Sequence, residues 1–100
     1  MGVSISHGAG GTRSALTISN LGQHLAHVLT ASEWREIGDL FDGRFADVAS
    51  IPPREASRIG DLLHEAANHR LMDPAWGSLA RELGDAANRA AASGQNWTWS

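Results

Sequence analysis

Apolar residues recur at steps of three and four in four separate stretches of this chain, and that spacing limits the fold more than any other feature. Residues so spaced share one face of a helix, and that face must be buried against something. Ile18, Leu21, Leu25, Val28 and Leu29 make the first stripe, which predicts a helix over about residues 13–29. Gly22 weakens it and can let another helix approach closely. Trp34, Ile37, Leu40 and Phe41 make the second stripe. Ala56, Ile59, Leu63 and Ala66, with Leu62 beside them, make the third. Trp76, Leu79, Leu83, Ala87 and Ala90 make the fourth, over about residues 74–93.

Local chemistry marks the ends of these stretches. Thr30-Ala31-Ser32-Glu33 reads as a capping box, in which Thr30 caps the backbone and Glu33 reaches back. Gly43 suits a left-handed terminator. Pro53 suits the first position of the third helix, with Glu55 complementing the dipole in its first turn. Asp73-Pro74 is an N-cap followed by Pro at the first helical position. Residues 43–51 read as a connector pinned to the core by Phe45, Val48 and Ile51.

The two ends of the sequence follow another period. Val3-Ser4-Ile5-Ser6 alternates, and so does Asn96-Trp97-Thr98-Trp99-Ser100. A lone strand is not stable, and four helices running up and down bring these two segments to the same end. The expected fold is mainly α: a four-helix bundle with a two-stranded antiparallel ribbon formed by the N- and C-terminal segments, one domain over residues 1–100.

Composition removes several chemistries. All eight basic residues are Arg, and Cys, Lys and Tyr are absent. A thiol nucleophile, a thiolate metal site, a Schiff-base Lys and a Tyr general acid are therefore impossible. The net charge of −3 gives no basic footprint for nucleic acid or an anionic membrane. The start of the sequence lacks the basic-then-apolar order of a signal peptide, and no apolar run is long enough to span a bilayer, so the cytoplasm is the expected location. No cofactor is expected.

The candidate sites each have a plainer reading. His7-Gly8-Ala9-Gly10-Gly11-Thr12-Arg13 lies between a strand and a helix, where backbone N–H groups of Gly8, Gly10 and Gly11 could receive an anion beside His7 and Arg13. It matches neither the dinucleotide nor the P-loop pattern, and a strand-to-helix loop explains it as well. His24 and His27 share one side of the first helix, but a metal needs further ligands, and His64 and His69 diverge around the third; no metal site is expected. On this view His24 lies on a polar flank and His27 borders the apolar stripe. His64 with Asp61, or His69 with Asp73, could act as a general base, although such pairs arise easily on helical surfaces, and no catalytic residue is assigned. Arg44, Arg54, Arg58 and Arg70 are interleaved with Glu55, Asp61 and Glu65, which reads as a solvated mixed-charge face. Trp97 and Trp99 either close the core or form an outward aromatic patch of the kind used at interfaces.

Three pieces of the sequence, Ile5-Ser6-His7-Gly8-Ala9, His69-Arg70-Leu71-Met72-Asp73-Pro74-Ala75-Trp76 and Gly94-Gln95-Asn96-Trp97-Thr98-Trp99, resemble a family of small uncharacterised actinobacterial proteins. The resemblance implies no known activity. The expected function is that of a soluble interaction or regulatory module without catalytic activity, whose partner is another protein or itself, with neither nucleic acid nor membrane as partner. The acidic face of the second helix (Glu33, Glu36, Asp39, Asp42) would repel a copy of itself. A homodimer through helix 1, or through helix 4 with its smooth Ala80, Ala86, Ala91 and Ala92, is expected, with Trp97 or Trp99 at its edge. The alternative is a small ligand-binding protein or enzyme that uses His/carboxylate pairs between helices.

Overall fold

The computed structural model describes residues 2–8, 12–41 and 49–100, with the side chains of Thr12, Arg13, Ala15 and Asp39 outside the description. Among these residues the chain forms four helices and four short strands. In order they are β1 (Gly2–Ser4), β2 (Thr12–Ser14), α1 (Ala15–Val28), α2 (Ala31–Phe41), β3 (Ala49–Ile51), α3 (Pro53–Ala67), α4 (Pro74–Ala92) and β4 (Trp97–Trp99).

The helix ends follow local chemistry. Thr30 N–H donates to Glu33 Oε1 at 2.9 Å, and Glu33 N–H donates to Thr30 Oγ1 at 3.2 Å, so the capping box is reciprocal. Pro53 opens α3, and Asp73 accepts from Ala75 N–H ahead of Pro74. Just past α4, Gly94 has a φ of +67°, which suits the left-handed region. Gln95 N–H then reaches Ala90 O, and Gly94 N–H reaches Ala91 O, so the last carbonyls of the helix are used. The proposed terminator Gly43 and the anchors Phe45 and Val48 lie outside the described residues, while Ile51 is buried as expected.

The terminal segments meet antiparallel. Ser4 and Ser100 exchange both backbone hydrogen bonds, Ser6 N–H donates to Thr98 O, and Ile5 bridges Trp99. Each of the two segments also has a second partner, so that two two-stranded sheets are joined by these bonds. β1 also pairs with β2, Val3 opposite Arg13, and β4 also pairs with β3, Ser50 opposite Thr98. Strand β2 shortens the first helix from the expected start at residue 13: Ser14 accepts from Thr17 N–H and so caps α1 from outside.

One core lies between helices and sheet. Leu21, Leu25, Ile37, Phe41, Leu62, Leu63, Leu83, Trp97 and Trp99 are its largest fully buried side chains. Trp99 meets both Phe41 and Trp97 edge-on, at ring separations of 5.5 and 5.3 Å.

The fourth stripe needs one correction. Leu83 is fully buried, but Trp76 and Leu79 are only half-buried. Ala87 and Ala90 are buried with Leu83 as the stripe predicts, and Gly77, Ala80, Gly84 and Ala86 take the rest of the buried side. The reason is close approach. A Cβ on Gly84 would come within 3.1 Å of Gly60 O, and one on Gly60 within 3.0 Å of Gly84 O. Backbones this near leave no room for a bulky side chain between them, so the large residues sit at the flanks.

Candidate functional site

The N-terminal turn after β1 is held from α4 and β4. His7 has φ +65°, a conformation non-glycine residues rarely take, and Gly8 follows at φ +87°. Arg89, in the last turn of α4, donates from Nε to His7 O at 2.8 Å and from Nη2 to Gly8 O at 3.3 Å. Gln95 Oε1 lies 2.9 Å from His7 Nε2 and can only accept, so Nε2 carries the proton. In a neutral ring His7 Nδ1 then accepts from the Ser6 hydroxyl at 2.7 Å, and Ser6 Oγ accepts from Thr98 N–H. Trp97 Nε1–H reaches Ser6 O. Apart from the Ser6–His7 bond, these bonds tie the turn to the far end of the sequence. Of the anion candidates, Gly10 and Gly11 and the side chain of Arg13 lie outside the described residues. The described part, His7 and Gly8, turns its carbonyls to a guanidinium.

The remaining histidines are placed differently from the sequence expectation. His64 pairs with Asp85 of α4, Nε2 to Oδ1 at 2.7 Å, and not with Asp61 one turn earlier. Asn88 Nδ2 donates to Nδ1 at 3.3 Å, so a neutral His64 has both ring nitrogens engaged. The imidazole lies over Gly84, where a Cβ would come within 2.9 Å of Cδ2. His69 Nδ1 accepts from Leu71 N–H, which makes it a turn cap and not a partner of Asp73. His24 is half-buried and stacks on Trp76 at 4.9 Å, whereas His27 is exposed, the reverse of their expected roles. Trp76, projecting from the flank of α4, is what draws His24 inward. Among the described residues no group of three or more His, Asp and Glu is arranged to hold a metal ion.

Between α2 and α3 lies a charged seam. Arg58 donates two hydrogen bonds to Glu36, Nε to Oε1 at 3.1 Å and Nη2 to Oε2 at 3.0 Å, and this lowers the Glu36 carboxyl below its usual range. Beside it Glu33 and Glu65 share a hydrogen bond. The Thr30 N–H, and next the bond from Glu65, hold Glu33 low. The bond to Glu33 and then its charge push Glu65 up. The acidic face of α2 is thus partly committed to α3; Asp42 and the side chain of Asp39 lie outside the described residues.

α1 presents the other kind of surface. Over its 14 residues it carries no Asp, Glu or Arg. Its outer side exposes Leu16, Gln23, Ala26 and His27, with Leu16 at 70%. Next to them is a groove of about 310 Å³ lined by Ser19, Gly22, Gln23 and Ala26 of α1 and by Trp34 and Phe41 of α2. Helix 4 offers no comparable face: Ala80 and Ala86 are fully buried and Ala91 half-buried, leaving Ala92 exposed. Trp97 and Trp99 are 0% exposed, so they close the core and offer no edge to a partner.

A family model described as Domain of unknown function (DUF7739) matches residues 6–100. The chain belongs to that family. Comparison with curated proteins gives no match, and neither does comparison with solved structures. In this DUF7739 member the matched span begins at Ser6, the residue whose hydroxyl joins β4 to His7. Two of the three sequence pieces that carried the resemblance, Ile5–Ala9 and Gly94–Trp99, touch at this point. The third forms the α3–α4 turn, with Met72 buried and Trp76 on His24. Arg89, Gln95, Asp85 and Asn88 carry no signal in the sequence, because all of them act across the fold. Their partners stand 21 or more residues away, and no periodicity in the sequence reports such pairs.

Among the described residues no helix is long and apolar enough to cross a membrane.

Proposed function

We propose that this DUF7739 chain is a cytoplasmic interaction module without catalytic activity, and that it acts through the uncharged outer face of α1, with a second copy of itself as partner. The carrying observation is the contrast between helices. α1 has no charged residue of the Asp, Glu or Arg type and exposes Leu16, Gln23 and Ala26, while α2, α3 and α4 carry both signs of charge. A two-fold contact sets a patch against itself, so a charged patch is penalised and a neutral one is not. One helix of this length is about 21 Å long, a small contact that suits a micromolar dimer better than a nanomolar one. Light scattering over about 1 to 500 µM tests the reading. The expected mass rises towards twice the 10.6 kDa of one chain. A mass of one chain throughout rejects it.

The alternative of an enzyme or ligand-binding protein has the His64–Asp85 pair in its favour, since it joins a His and a carboxylate between two helices. Its weakness as a base is that Asn88 occupies the second ring nitrogen. Nitrogen chemical shifts that show His64 Nδ1 free of a donor would strengthen that alternative.

A further inference from the structure

The groove beside α1 has a specific shape. Its lining on that helix is Ser19, Gly22, Gln23 and Ala26, spaced i, i+3, i+4 and i+7. That is the four-residue hole into which a side chain of a facing helix inserts. Gly22 lies at its α2 edge, where the helices come so near that a Cβ would meet Phe41 Cβ at 2.7 Å. Trp34 forms the wall. A hole of this kind accepts an apolar knob, and α1 itself supplies one: Leu16 is 70% exposed and lies one turn before Ser19.

Resting on the dimer reading above, we infer that Leu16 of one copy fills the α1–α2 groove of the other, with the two α1 helices antiparallel about a two-fold axis. Placing Leu16 over Gln23 fixes the register. The same relation sets Ser19 opposite Asn20, so the axis passes between these two small polar residues, where the helices can come close. Both copies bury their knob in the same step, as an isologous contact requires. The surface meeting itself is free of Asp, Glu and Arg along the whole of α1. His27 falls beyond the paired stretch, and His24 stays on Trp76 of its own chain.

The absence of Cys makes the register directly readable. In a Leu16→Cys/Gln23→Cys double variant the two positions are about 10.5 Å apart along one helix, too far for an intrachain disulfide. Mild oxidation is expected to yield a covalent dimer. A Leu16→Cys/Leu71→Cys control, both exposed but not facing in this register, is expected to remain largely uncrosslinked. Leu16→Arg and Ala26→Arg replace exposed side chains, and circular dichroism checks that both variants keep the fold. Each is expected to weaken dimerisation on the order of tenfold or more, by removing the knob or blocking the hole. A wild-type dimer that Leu16→Arg leaves unchanged, or that crosslinks equally through the control pair, overturns this register and leaves the dimer reading standing. A monomeric wild type overturns both. If that monomer binds an apolar dye and Ala26→Arg abolishes the binding, the groove belongs to a small apolar ligand.

Discussion

The α3–α4 pair and the α1–α2 pair are each two helices joined by a short link, yet they are packed by opposite means. α3 and α4 approach through glycine on both sides and surround the contact with polar bonds, His64 to Asp85 and Asn88. α1 and α2 meet through Gly22 on one side only, and the space not filled becomes a groove walled by Trp34. The difference is one of completeness. Where both partners are small the surfaces close on each other; where one is small and the other aromatic, a hole is left that outside atoms can reach.

Substitutions can break that comparison. The largest loss is expected at Trp99, which joins Phe41 of α2 to the sheet and is fully buried: Trp99→Ala should cost about 3–5 kcal/mol in denaturant unfolding. A cost below about 1 kcal/mol would mean that α2 is held without the sheet. On the closed side, Leu83→Ala should cost about 2–5 kcal/mol by leaving a cavity with no route for collapse. A pair of variants compares the glycines. Gly60→Ala drives a methyl into Asn88 Oδ1 and towards Gly84 O, and should destabilise by about 1–3 kcal/mol. Gly38→Ala meets only the half-buried Trp34 ring, at 3.2 Å, and the gain in helix propensity of up to about 1 kcal/mol should roughly offset it. Equal losses at the two positions would erase the distinction between the helix pairs.

The smallest expected effect concerns the seam between α2 and α3. Glu65 is raised by Glu33, so its stabilising contribution is present at low pH and is lost as pH rises through its folded-state value. Glu33 is lowered, so its contribution is present at neutral pH and is lost as pH falls. Glu65→Gln keeps a donor to Glu33 at every pH. Its melting temperature is therefore expected to exceed that of the parent slightly at pH 7, with the gap closing towards pH 4. A gap that widens on acidification would show that the two carboxyls do not share a proton.

The helices were legible because their signals are local. A capping box spans four residues, Asp73-Pro74 spans two, and the apolar stripes repeat within each helix. The meeting of the two ends was legible from alternation and topology together. Strands β2 and β3 were not, because Thr12-Arg13-Ser14 and Ala49-Ser50-Ile51 are too short to show a period; they are strands only because β1 and β4 leave edges to be paired. Leu83, Ala87 and Ala90 of α4 face inward as their spacing predicts, but Trp76 and Leu79 are only half-buried, because Gly60 and Gly84 give part of that side to backbone. The grip of Arg89 on His7 and Gly8 spans 81 and 82 residues, and nothing in either neighbourhood signals it. The neutrality of α1 could be read directly from the sequence, but the groove beside it could not, since Trp34 and Phe41 complete it from another helix.

The backbone bonds between Ser4 and Ser100 also set an order in time. A contact that closes a loop of this length carries a large entropic cost, and it is worth forming only when other contacts have already shortened the path. α3 and α4, adjacent in sequence and tightly packed, can form early; residues 2–6 have no strand partner in β4 until Trp97–Trp99 is in place. Residues 2–4 can pair with β2 early, but their bonds to β4 wait until Trp97–Trp99 is in place. Pulse-labelled hydrogen exchange should protect amides of α3 and α4 before those of Ser4 and Ser6, and the N-terminal segment would be the first to open again when the protein is stressed.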